Sequence, residues 1–187
     1  MNILLAATGS VATIKYRRLY EELSKIGTVK GALTEKAKFF IKDTSGLDIY
    51  DEAKEWDWEK IGDPIPHIDL KDWADILVIA PLSANTLTKM TVGICDNLLT
   101  TIYYAWPKGK HIVVAPAMNT DMWNNELTKK RLIELADRHG FRHAFFNTIH
   151  IINPVEAKLA CGVTGIGAMA PINDIVNKVS ELCQAKV

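Results

Sequence analysis

Five apolar residues in a row, Ile76-Leu77-Val78-Ile79-Ala80, followed at once by Pro81, constrain this chain more than any other stretch. A strand with one wet face alternates apolar and polar residues. A strand with no polar position is covered on both faces, as in parallel sheets. Proline then withholds a backbone N–H and is expected to stop the strand. Two further runs share that form: Ile3 to Ala7 breaks at Thr8-Gly9-Ser10, and His111 to Ala115 breaks at Pro116. Val29 to Leu33 and Phe141 to Phe146 read as additional strands.

Between these runs the apolar period lengthens to that of a helix. Ala12, Tyr16, Leu19, Leu23 and Ile26 recur at steps of three and four, with Gly27 placed as a C-terminal cap. One helix is expected to begin near Ser83 and another to run through Asn97 to Tyr104. A further helix carries Leu127, Ile133, Leu135 and Ala136 and closes near Gly140. Ile172, Ile175, Val176, Val179 and Leu182 form the stripe of the last helix. Lys42 to Pro66 reads as irregular structure with room for a short helix, and Asn147 to Pro171 as a long connection. Strands alternating with helices predict a single α/β domain over residues 1–187, a doubly wound parallel sheet with helices on both faces. Ligands of such sheets gather at the C-terminal strand ends.

Composition narrows the function. Lys and Arg number 22 and so do Asp and Glu, with no block of one sign, which argues against nucleic acid or an anionic membrane as partner. No apolar run approaches the roughly 18 residues of a membrane-spanning helix. Asn2 to Ala7 lacks the basic flank of a signal peptide and reads as a first buried strand. Cys95, Cys161 and Cys183 are an odd count without close pairing, so a reducing, cytoplasmic setting is expected rather than a disulfide scaffold.

The chemistry belongs to the loops. Thr8-Gly9-Ser10-Val11 opens a helix, whose free N–H groups and dipole favour a phosphate; an ordinary serine-capped turn has the same sequence. The three-glycine dinucleotide fingerprint is absent, which weighs against a nicotinamide cofactor. Pro81-Leu82-Ser83-Ala84-Asn85-Thr86 crowds three polar side chains at one helix start, where capping uses one. Pro116-Ala117-Met118-Asn119-Thr120-Asp121-Met122-Trp123 sets an amide among methionines and an indole, suited to a flat, partly polar ligand or to a methionine-rich core contact. Gly162, Gly165 and Gly167 imitate a nucleotide loop, but no strand precedes them; small residues there suit a segment that folds over a ligand. His139 and His143 have helical ligand spacing, yet Gly140 lies between them and no carboxylate motif accompanies them, so no metal site is expected. Cys95 and Cys183 read as small core residues.

Taken in order, these loops and Pro66-His67-Ile68-Asp69-Leu70 resemble the flavin-dependent cysteine decarboxylase family. The hallmark segments stand here as PLSANT and PAMNTDMW. TGSVA, HIDLKDWAD, GICDNLLT and KLACGVTGIGAMA extend the likeness over nearly the whole chain. The resemblance implies a Rossmann-like flavoprotein. It implies FMN contacts at Gly9, Ser10, Val11, Thr34, Glu35, Lys36, Ser83, Ala84, Asn85, Thr86 and Ala117. It implies catalytic roles for His67 and Cys161, a carboxylate contact at Asn119, and substrate contacts at Lys158, Ala160 and Met169 from a flap over about residues 153–171. Members assemble as homotrimers, sometimes stacked into larger shells. Val163 and Thr164 depart from the family, whose flaps often carry an acidic residue after the Cys-Gly pair.

The implied reaction is decarboxylation of 4′-phosphopantothenoyl-cysteine to 4′-phosphopantetheine in coenzyme A synthesis. Two-electron oxidation of the substrate's Cβ–S unit gives a thioaldehyde, and loss of carbon dioxide then leaves a stabilised enethiolate rather than a bare carbanion. Peptidyl-cysteine decarboxylases of the same family stop at the enethiol and need no proton-donating flap cysteine, so Cys161 favours the coenzyme A branch. Prenylated-flavin synthases share the fold but fit PAMNTDMW and the cysteine flap poorly. Non-catalytic phosphatase-regulating relatives carry acidic tails, whereas this chain ends Gln184-Ala185-Lys186-Val187. No synthetase segment accompanies the decarboxylase pattern, so a stand-alone enzyme is expected.

Overall fold

The computed structural model describes residues 1–50, 52–138 and 148–184. Among them six strands form one parallel sheet: β1 (Asn2–Ala7), β2 (Thr28–Leu33), β3 (Ile49–Tyr50), β4 (Ile76–Leu82), β5 (His111–Pro116) and β6 (Ile149–Ile151), in the order β3-β2-β1-β4-β5-β6. The apolar run at β4 lies at the centre, and its side chains divide between two layers. Ile76, Val78 and Ala80 pack with Tyr16, Leu19 and Leu23 of α1 (Tyr16–Ser24) and Ile175 and Val179 of α8 (Ile172–Gln184). Leu77, Ile79 and Leu82 pack with Leu70 of α3 (Pro66–Trp73), Leu87 of α4 (Ala84–Val92), Ile102 of α5 (Leu98–Tyr104) and Leu135 of α7 (Glu126–Arg138). The expected doubly wound sheet, with helices on both faces, is the observed fold.

Several details differ from the expectation. Pro81 does not end β4; the strand continues to Leu82, with the register shifting between Ile79 and Leu82 where proline has no N–H to offer. β5 likewise includes Pro116. The first helix begins as a 3-10 turn, Val11–Lys15, before α1. Gly27 is not a left-handed cap. A Cβ there would lie 2.5 Å from the Met1 carbonyl oxygen, so close backbone approach explains the glycine. On α7, Leu127 and Ile133 are exposed, and Thr128, Leu132 and Leu135 form the buried face. The stretch read as a long connection contains β6 and an antiparallel hairpin of β7 (Val155–Lys158) and β8 (Thr164–Ala168). Phe141 to Phe146, His139, Gly140 and His143 lie outside the described residues.

One lysine anchors the end of α3. Lys110 Nζ donates to the carbonyls of Lys71 (2.8 Å), Asp72 (3.2 Å) and Ala74 (2.6 Å), at the end of α3 where backbone acceptors lack helical partners. Hydrogen bonds from charged donors contribute about 1.5–3 kcal/mol. Lys110→Met is predicted to lower unfolding stability by about that amount in a urea titration; an unchanged midpoint would contradict the anchoring role.

Candidate functional site

Strand order reverses between β1 and β4, and the loops leaving their C-terminal ends diverge there. A cleft of about 450 Å³ opens at this point, within the roughly 300–1,000 Å³ typical of small-molecule sites. Gly9 from the β1 loop, Thr34, Glu35 and Lys36 from the β2 loop, and Ser83, Asn85 and Thr86 from the β4 loop line it. Glu52, Lys89, Asp96 and Asn97 complete its wall.

Thr8 ties these loops together. It is fully buried; its hydroxyl donates to the Pro81 carbonyl at 2.8 Å and accepts from the Ser83 N–H at 2.8 Å. The Thr34 N–H donates to the Ala7 carbonyl at 3.2 Å, fixing the β2 loop beside it. Gly9 is held to a small residue by its neighbour in the wall: a Cβ there would stand 2.6 Å from Lys36 Cβ. The cleft wall closes only around glycine.

The surplus of polar side chains after β4 sorts itself out. Ser83 Oγ caps α4 by accepting from the Thr86 N–H at 3.3 Å, and its hydroxyl donates to Thr86 Oγ1 at 3.3 Å. Asn85 is exposed on the cleft, and its side chain has no hydrogen-bond partner among the described residues. Thr34 caps α2 (Glu35–Lys38), accepting from the Ala37 N–H at 3.3 Å. Ser10 caps the 3-10 turn, accepting from the Ala12 N–H at 3.4 Å. Ser10, Val11, Ala84 and Ala117 belong to these loops but do not line the cleft; Ala117 is buried, its N–H given to the Leu82 carbonyl at 3.0 Å. The Lys89 ammonium, 2.5 Å from Asp96, holds that carboxyl below its usual range. Lys36 has no ion-pair partner among the described residues and leaves its charge to the cleft.

A second group lies on α3. His67 follows Pro66 in the first turn, and its Nδ1 contacts Glu55 Oε1 while its backbone N–H donates to Glu55 Oε2 at 3.2 Å. His67 is not among the residues lining the cleft. Glu55, on a 3-10 turn over Glu52–Trp56, was not singled out in the sequence; no spacing rule links it to a histidine twelve positions on, across two prolines.

The third group pairs two expected residues. Asn119 Oδ1 accepts from the Asp121 N–H at 2.8 Å to cap α6 (Thr120–Asn124), and Asn119 Nδ2 donates to Cys161 Sγ at 3.7 Å. Cys161 sits exposed in the β7–β8 turn, which Gly162 makes with φ +88°. The hairpin lies directly on the loop after β5. The Met118 N–H donates to the Gly167 carbonyl at 2.9 Å, and Cβ atoms at Gly165 and Gly167 would stand 2.4 Å from Thr120 Oγ1 and 2.2 Å from the Met118 carbonyl. Lys158 and Ala160 are exposed on this hairpin. Met169, expected at the substrate, instead packs its side chain in the layer with α1 and α8 and is 2% exposed, because the chain enters the core once past Gly167. Cys95 is exposed rather than a core residue, and Cys183 is half-buried.

The model of the family described as Flavoprotein matches residues 1–184. The chain belongs to the flavoprotein family, as an enzyme of its decarboxylase kind. A phosphopantothenoylcysteine decarboxylase of Oryza sativa subsp. japonica is 45% identical over 186 residues, covering 97% of this chain and 80% of the relative. The solved structure of a cysteine-to-serine mutant of PPC decarboxylase complexed with pantothenoylaminoethenethiol superimposes with a TM-score of 0.90 at 43% identity, covering 98% of each chain. The FMN binding protein AtHal3 does so with a TM-score of 0.87 at 43% identity, covering 100% of this chain and 98% of its own.

Thr8→Val keeps the shape of the side chain and removes its hydroxyl, stranding the Ser83 N–H. A buried unsatisfied group costs about 1–3 kcal/mol. That loss is the expected result of a denaturant titration of Thr8→Val; wild-type stability would show that water replaces the hydroxyl.

Proposed function

We propose that this chain is an FMN-dependent decarboxylase of 4′-phosphopantothenoyl-cysteine, forming 4′-phosphopantetheine on the route to coenzyme A. The observation that carries the reading is the Asn119–Cys161 contact, which joins a carboxylate-orienting amide and a thiol from segments 42 residues apart. The relatives' names and the flavoprotein match support it further. The cleft fits the cofactor's chemistry: the Asn85 amide and the Lys36 ammonium are available to the phosphate end, beside backbone that only Gly9 permits.

Bound FMN supplies a two-electron acceptor and donor for the substrate's Cβ–S unit. The protein groups do the rest. His67 receives a proton from the substrate, Asn119 orients the carboxylate that leaves, and the Cys161 thiol delivers a proton as the product becomes saturated. The β7–β8 hairpin, within residues 153–171 of the one domain, acts as the flap that covers the substrate. The proposal includes a homotrimer, the assembly that the family resemblance implies. It also includes a cytoplasmic setting, which the free thiols support.

Carbon dioxide release from 4′-phosphopantothenoyl-cysteine tests the reading. Wild-type protein is expected to release it, and His67→Asn to do so about 10²-fold or more slowly. Cys161→Ser is expected to accumulate the unsaturated enethiol. Absence of release by wild type, or saturated product at the full rate from Cys161→Ser, contradicts the assignment. Gly9→Ala, which drives a methyl group into Lys36, is expected to purify with less flavin than wild type, as read from its visible absorbance.

A further inference from the structure

We propose that Glu55 is a positioning residue for His67: its carboxylate grips the imidazole at Nδ1, fixes the ring's tautomer and leaves Nε2 as the single basic site. The inference rests on the functional reading above and goes beyond it by assigning a residue outside the recognised motifs.

Pro66 opens α3 without an N–H, and the Ile65 side chain before it cannot cap, so the His67 N–H is the first donor needing an acceptor. Glu55 Oε2 meets that need at 3.2 Å. Capping accounts for one carboxylate oxygen and no more. The other, Oε1, turns to the imidazole of the same residue and contacts Nδ1. The Glu55 side chain is 13% exposed and that of His67 22%, so the carboxylate is the better covered of the two. A covered carboxylate is tolerable when its oxygens accept hydrogen bonds, and here both do.

An ionised carboxylate has no proton to donate, so Nδ1 must be the N–H partner and the lone pair of the neutral ring lies on Nε2. With backbone and ring held by one side chain, a ring flip would break the Nδ1 contact. The grip also reaches the cleft: Glu55 shares its 3-10 turn with Glu52, which lines the cleft wall. A bare cap would explain the backbone contact and leave the ring contact unexplained.

The test compares full-length, flavin-loaded Glu55→Gln, Glu55→Ala and His67→Asn with wild type. Four quantities are read: kcat, KM, melting temperature and imidazole 15N shifts, with the His67 signals identified by their loss in His67→Asn. Glu55→Gln keeps an acceptor for the helix start and is expected to melt within about 4 °C of wild type. Its kcat is expected to fall about 10–100-fold, the scale on which partners that orient functional histidines act, with KM within about threefold. Glu55→Ala is expected to show the same loss, with the His67 nitrogens passing from one tautomer to a mixture. If Glu55→Ala does not fold, Glu55→Gln decides alone. A kcat within twofold of wild type in Glu55→Gln, or unchanged His67 tautomers in Glu55→Ala, overturns the proposal. Full activity of His67→Asn would instead overturn the functional reading, while the nitrogen shifts would still report whether Glu55 fixes the ring.

Discussion

The site depends first on one buried hydroxyl. Parallel strands β1 and β4 are neighbours, but their connections leave toward opposite edges of the sheet, which opens a crevice at their ends. Thr8, fully buried there, bonds to both the Pro81 carbonyl and the Ser83 N–H and so sets the spacing of the two loops. Gly9 then falls against Lys36, and Ser83 is delivered to the start of α4. The cleft is thus shaped by backbone held in place from behind, with polar side chains placed on its surface.

The groups proposed for proton chemistry stand on separate supports. His67 rides on α3, tied to Lys110 at one end and Glu55 at the other. Asn119 is held by its own capping bond at α6, and Cys161 arrives on a hairpin seated through Gly165 and Gly167 on the loop after β5. Each glycine admits a contact that any side chain would obstruct. The hairpin meets that loop through the bond from the Met118 N–H to the Gly167 carbonyl, and Lys158 and Val163 are exposed on it.

Much of this was legible in the sequence because burial imposes pattern. The apolar runs of β1, β4 and β5 and the stripe of α8 follow from being covered, and the polar loops follow from ending such strands. The edge strands were not legible: β3 has two residues and β6 three, too short to display a period. Neither was the reason for Gly27 or Gly9, since close approach by a distant segment leaves no local mark. Pro81 misled because a register shift allows a strand to pass a missing donor. Glu55 escaped notice because its partner is chosen by the path of a 3-10 turn, and Met169 because a flap motif runs on into the core without a change of composition.

The central claim is that the crevice held by Thr8 takes a flavin by its phosphate. Titrating the flavin-free protein with FMN and, separately, with riboflavin tests it most directly. The account predicts saturable binding of one FMN per chain and much weaker binding of riboflavin, which has no phosphate for Lys36, Asn85 and the loop at Gly9 to engage. Equal affinity for the two, or no binding of FMN, would contradict it.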